Sequence, residues 1–144
     1  MEHMQYWLGD LLEGIENDKA NCAGLLKKCG EGCAKRNALP HMGGIKAEIG
    51  GTNDINKITE IIGRHTGAEC LPTPGGFVIT YNRGKKCDCA LVSAGYVSSP
   101  AFCNCTLGFQ ETIWGAAFNK PVKVEILETF LRGGDRCSYK ITLN

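Results

Sequence analysis

Two Cys-x-Cys pairs, Cys87-Asp88-Cys89 and Cys103-Asn104-Cys105, bracket one stretch of a chain that carries nine cysteines in 144 residues. Thiols at this density can hold a metal, exchange electrons, form disulfides or fill a core. Sets of four thiolates suit Zn²⁺ or an iron–sulfur cluster, because the metal neutralises sulfurs that burial alone would keep protonated. The C-x-x-C knuckle of zinc ribbons and ferredoxins is absent from both pairs. The odd cysteine count argues against a disulfide framework, and the chain reads as cytoplasmic, where thiols stay reduced.

Other chemistry is thinly represented. The sequence has no G-x-S-x-G, no phosphate-binding loop, no H-E-x-x-H and no G-x-G-x-x-G. A cysteine nucleophile paired with His41 or His65 is available, but three histidines among nine cysteines make some such pairing inevitable. His65 falls in the last turn of a helix, where a cation suits the helix dipole. Glu125 and Glu128 lie three apart on an expected strand, hence on opposite faces, which disfavours a two-carboxylate site. Arg132-Gly133-Gly134-Asp135 reads as a hairpin turn rather than an anion site.

Sixteen Lys and Arg against fifteen Asp and Glu leave a net charge of +1, so there is no basic footprint for nucleic acid. The first residues are acidic and interrupted by Gly9 and Asp10, unlike a signal peptide, and no later stretch is apolar enough to span a bilayer.

The elements that position the thiols follow from periodicity. Met4, Trp7, Leu8, Leu11, Leu12 and Ile15 form the stripe of an amphipathic helix. Asp18 is placed to cap a second helix from about Lys19 to Arg36. On it Cys22, Leu26, Cys29 and Cys33 share a face, which is either core or a row of thiols aimed at a site. Residues 37–53, with Pro40 and two Gly-Gly pairs, read as a long loop. Asp54 caps a third helix ending near Gly67.

After a turn cluster at 71–76, residues 76–92 alternate like a β-hairpin with Asn82-Arg83-Gly84 at its tip. Strand geometry would then let Cys87 and Cys89 offer both sulfurs to one ion. Cys103 and Cys105 precede or enter a helix running to Phe118, where i and i+2 diverge by about 200°. Two final strands surround the Arg132–Asp135 turn. The expected fold is α/β (α+β): an antiparallel four-stranded sheet of two hairpins with helices packed on it. It forms one domain over 1–144, helical over 1–67 and sheet-bearing over 68–144.

The last third, from Phe102-Cys103 to Leu143, resembles the 4-vinyl-reductase domain, a small-molecule-binding module. The matching elements are Cys103, Gly108-Phe109, the helix to Phe118, Lys120-Pro121, Glu125 or Glu128, Gly134 and Cys137. The stretch LLKKCGEGCAKRN, with the two Cys-x-Cys pairs, is similar to a cysteine-rich bacterial family of no known activity that carries this domain. Relatives of the domain include hydrocarbon-binding proteins, phenol sensors and acyl-holding trafficking subunits. In the aromatic sensors cysteines and a glutamate hold a structural zinc. The resemblance places the first Cys on Cys103, the last on Cys137, and the Glu near Glu125, offset by one residue. The middle Cys falls on Thr129, which is no thiolate ligand. Either the site is lost, or Cys105, the pair Cys87 and Cys89, or the pair Cys29 and Cys33 completes it.

The leading expectation is therefore a cysteine-ligated metal, Zn²⁺ first, bracing an apolar or aromatic small-molecule pocket lined by Tyr96, Phe109, Trp114 and Phe118. At helical spacing the same aromatics also read as core. Alternatives are a hydrolase related to thiazoline-carboxylate hydrolases, using a Cys nucleophile or metal-bound water, and an iron–sulfur or thiol redox protein. The trafficking relatives suggest a scaffold or homodimer. Nucleic acid and a membrane span are not expected.

Overall fold

The computed structural model describes residues 2–22, 24–81 and 86–143. Its centre is a four-stranded antiparallel sheet in the order β1-β2-β4-β3, formed by β1 (Glu69–Thr73), β2 (Gly76–Tyr81), β3 (Lys123–Glu128) and β4 (Cys137–Thr142). Two hairpins meet where β2 pairs with β4. The helices are α1 (Glu2–Asn17), α2 (Lys19–Cys22), α3 (Leu25–Asn37), α4 (Gly43–Ile49), α5 (Ile55–Thr66), α6 (Ala90–Ser93) and α7 (Cys105–Phe118). Short 3₁₀ turns lie at Leu39–His41, Pro100–Asn104 and Phe130–Arg132. Among the described residues no helix is long and apolar enough to cross a membrane.

One face of the sheet carries Phe77, Ile79, Cys137, Tyr139, Ile141, Val124 and Ile126, the alternate positions of β2, β4 and β3. Against it pack α5 and α7, with Ile58, Ile61, Ile62, Ile113 and Trp114 buried. Phe77 and Trp114 meet edge to face at 5.4 Å, and the Trp114 Nε1–H donates to Gln110 Oε1 at 2.7 Å. The helix α5 is legible in its sequence: the Asp54 carboxylate accepts from the Asn56 and Lys57 N–H groups, and Gly67 closes the C-terminus at φ 70°.

The helices α3 and α7 cross at backbone contact. A Cβ on Gly30 would lie 1.6 Å from the Cys105 carbonyl oxygen, and one on Gly108 would lie 1.8 Å from that of Lys27. Reciprocal glycines are thus the condition for this crossing. Ala34 continues the close face, and Lys27 pairs with Glu111 across it at 2.8 Å.

Several expectations are corrected. The helix expected from Lys19 to Arg36 is two helices, because Gly24 sits at φ 88° between α2 and α3. The buried positions of α3 are Leu26, Gly30 and Ala34, so Cys29 is exposed and Cys22 lies on a separate helix. The expected loop 37–53 contains α4. Its two Gly-Gly pairs mark the ends of that helix, and Ile45 and Ile49 anchor it in the core. The first hairpin lies earlier than expected. The stretch read as a turn cluster supplies β1, an edge strand that tolerates Pro72 because it pairs on one side only. The expected hairpin tip at Asn82-Arg83-Gly84 lies outside the described residues. Residues 86–93 contain no strand, so strand geometry does not align Cys87 with Cys89. Of the α1 stripe only Leu12 is buried, whereas Met4, Trp7 and Leu11 are exposed.

Candidate functional site

The irregular segment 86–89 and the turn Pro100–Asn104 lie at the end of the sheet where β4 begins. Cys103, in that turn, is buried, and so is Cys137, the first residue of β4. Thr129, which is 1% exposed, bonds to Cys103, and the N–H of the next residue, Phe130, bonds to Cys137. The Cys103 thiol donates to Thr129 Oγ1 at 3.2 Å, and the same oxygen accepts from the Arg132 N–H at 3.2 Å, capping the Phe130–Arg132 turn. The Arg132 guanidinium then donates to Asn104 Oδ1 at 2.9 Å, tying this turn to the one that holds Cys103. So Cys103, Thr129 and Cys137, separated in sequence, meet at one end of the sheet.

Cys87 and Cys89 are electrostatic neighbours of this group: both act on Cys103, Cys87 interacts with Cys137, and Cys89 interacts with Cys105. Cys105, at the start of α7, also senses Cys33 on α3. Burial is the largest influence on each of the perturbed thiols. It pushes Cys105 up to about 12 and raises Cys87, Cys103 and Cys137 above the ordinary thiol value. Hydrogen bonds from the Phe130 N–H and the Tyr139 hydroxyl oppose this at Cys137, and the Thr129 hydroxyl and the Arg132 charge oppose it at Cys103. Without a counter-charge these thiols are neutral at pH 7. Among the described residues no group of three or more His, Cys, Asp or Glu side chains is positioned to hold a metal ion. The donor chemistry suits a soft metal; coordination needs the sulfurs to draw closer.

The carboxylates stand apart from the thiols. A bulge between Ile126 and Glu128 advances the register, so that Glu125 faces Lys140 and Glu128 faces Ser138. The two glutamates therefore share a face, contrary to the simple alternation, and it is the face opposite Cys137. Glu128 is engaged there by the Asp135 N–H at 2.9 Å and by Arg136 at 3.6 Å. Glu125 is exposed. Sequence reasoning missed this bulge, and its only trace is the polar Glu128-Thr129 step after a β-branched run.

His65 is engaged by a carboxylate rather than by a thiol. His65 Nε2 lies 2.6 Å from Glu48 Oε2, and Arg64 holds the same carboxylate. Among the described residues no hydrogen bond joins a histidine to a cysteine. Of the expected pocket aromatics, Trp114 is fully buried in the main core and Phe109 packs against that core. Tyr96 joins a smaller cluster around Leu12, Leu26 and Val97.

Two clefts remain. The larger, about 500 Å³, adjoins the thiol end, with Leu26, Ala101 and Leu107 as apolar lining and Lys19, Lys27 and Arg132 bringing charge. The smaller, about 360 Å³, lies near the other end of the sheet and includes Phe118. No sequence motif announced either one.

Compared with known proteins, residues 54–144 match the model of a family of unknown function (DUF6144). The match begins at the cap of α5 and includes Cys87, Cys89, Cys103, Cys105 and Cys137, while Cys22, Cys29 and Cys33 lie before it. No curated protein and no solved structure matches the chain.

Proposed function

We propose, for a chain that belongs to this family of unknown function, a small-molecule-binding role in which a thiolate-held metal, Zn²⁺ first, braces the binding end of the sheet. The observation that carries this reading is that buried Cys103, bonded to Thr129, and buried Cys137, bonded by the Phe130 N–H, are electrostatic neighbours, with Cys87 and Cys89 beside them. It agrees with the resemblance to 4-vinyl-reductase domains, whose first, middle and last ligand positions fall on these three residues.

Cys103, Cys137, Cys87 and Cys89 would hold the ion. A bound dication supplies the positive charge that lets a buried thiol give up its proton. Glu125 has no part in the set, because it lies on the opposite face of the sheet, and Cys29 is exposed on α3. The cleft of about 500 Å³ beside Ala101 and Asn104 is the place for an apolar or aromatic ligand. A thiol-rich chain of this kind belongs in a reducing compartment, the cytoplasm.

A cysteine-nucleophile hydrolase is the weaker reading: every resolved thiol shift is upward, the reverse of an activated nucleophile. Elemental analysis of the full chain, purified with oxygen excluded, tests the metal. Stoichiometric zinc is expected, lost in Cys103→Ser and Cys137→Ser and kept in Cys29→Ser. Metal-poor wild-type protein, or zinc loss in Cys29→Ser equal to that in Cys103→Ser, would rule this assignment out.

A further inference from the structure

We propose that the outer face of α1 docks on a second copy of this chain, against the solvent-facing side of that copy's α3. Helical periodicity gives α1 two adjacent apolar stripes, Leu8, Leu12 and Ile15 on one and Met4, Trp7 and Leu11 on the other. The first stripe belongs to the cluster with Leu26 and Val97. The second is left in solvent, with Met4 54%, Trp7 59% and Leu11 42% exposed. It runs on to Gly14, where an added Cβ would meet nothing within 4 Å.

Charge identifies the occupant. The helix α1 carries Glu2, Asp10, Glu13 and Glu16 and no Lys or Arg, the reverse of a helix that lies on an anionic membrane. Asp10, three residues after Trp7, borders the exposed stripe. On α3 the buried positions are Leu26, Gly30 and Ala34. The opposite side presents Leu25, Lys28, Cys29 and Arg36, all exposed and at helical spacing. An acidic apolar face and a basic face with an exposed leucine are complementary, and one chain supplies both. With α1 of each copy on α3 of the other, a two-fold axis closes the pair.

The area is sufficient. Half-exposed side chains of this size present on the order of 100 Å² each, so Met4, Trp7, Leu11 and Leu25 offer roughly 400 Å² per copy. Doubled, and with the stems of Lys28 and Arg36 added, this reaches about 1,000 Å², the lower limit for a specific interface.

Sedimentation equilibrium of the reduced full chain tests this. A dimer is expected, dissociating in the micromolar range and weakening with added salt. Trp7→Ser, at a position exposed in the single chain, should weaken it at least tenfold without disturbing the fold. Asp10→Lys and Lys28→Glu should each weaken self-association about tenfold, by setting like charges against each other. An equimolar mixture of these two variants should regain wild-type affinity, because acid then meets base in both contacts. The proposal is overturned by a wild-type chain that stays monomeric to about 1 mM. A dimer that Trp7→Ser leaves intact, or a mixture no tighter than either charge variant alone, would overturn it equally.

Discussion

Phe77, Ile62, Ile79, Trp114 and Ile141 are fully buried between the sheet and its helices, whereas the cluster under α1 closes over only Leu12, Leu26 and Val97. A buried aliphatic side chain contributes about 1.5–3 kcal/mol. Three such side chains give the α1 region much less apolar burial than the main core has. The contrast concerns function because the thiols straddle it. Cys137 belongs to the large core, Cys105 packs on the small cluster, and Cys103 lies in a turn bonded to Thr129 and Arg132. A metal held there would add stability where apolar burial is scarcest.

The α3–α7 crossing is where the two regions are joined, and disturbing it should have the largest effect. Gly30→Ala drives a methyl group into the Cys105 carbonyl, so α3 and α7 must separate. A loss of about 3 kcal/mol is expected in urea denaturation, with both regions affected together. A wild-type midpoint in this variant would mean that the crossing is looser than described.

Leu12→Ala should separate the regions instead. Deleting this side chain removes about 2–3 kcal/mol from the small cluster. Amide exchange should rise in α1 and in residues 92–97, while β2 and β4 keep their protection. Equal acceleration throughout the sheet would show that the two clusters unfold as one.

The smallest effect lies on the far side of the large core, at the α4–α5 junction. Glu48 is held at about 2 by hydrogen bonds from Arg64 and His65, well below the ordinary carboxylate value of 4.5. A depressed pKa means stability that is complete above about 4.5 and lost as pH falls towards 2. The exposed site limits the size of this effect. Glu48→Gln should lower the melting temperature slightly at pH 7 and converge with wild type near pH 2. A constant difference across that window would assign the effect to packing rather than charge.

The large core was the more legible region in the sequence. Asp54 and Gly67 mark the ends of α5, Asn119 with Lys120-Pro121 stops α7, and β-branched runs mark β3 and β4. These signals act within one or two turns of the chain. What was not legible depends on distant partners. The strand β1, with Pro72 and few β-branched residues, exists because β2 pairs with it. Gly43-Gly44 and Gly50-Gly51 resemble loop punctuation until Ile45 and Ile49 find the core. Cys103 and Cys137 could be singled out by resemblance, but their proximity beside the Thr129-Phe130 step is tertiary.

Cobalt substitution is the most direct test of the thiol site. Titration of the reduced full chain with Co²⁺, oxygen excluded, should produce a thiolate-to-cobalt charge-transfer band and the intense visible bands of a tetrahedral sulfur-rich site. Both should saturate at stoichiometric metal and vanish in Cys103→Ser and Cys137→Ser. The weak spectrum of hydrated Co²⁺, with all nine thiols alkylated at the same rate with and without metal, would contradict the account.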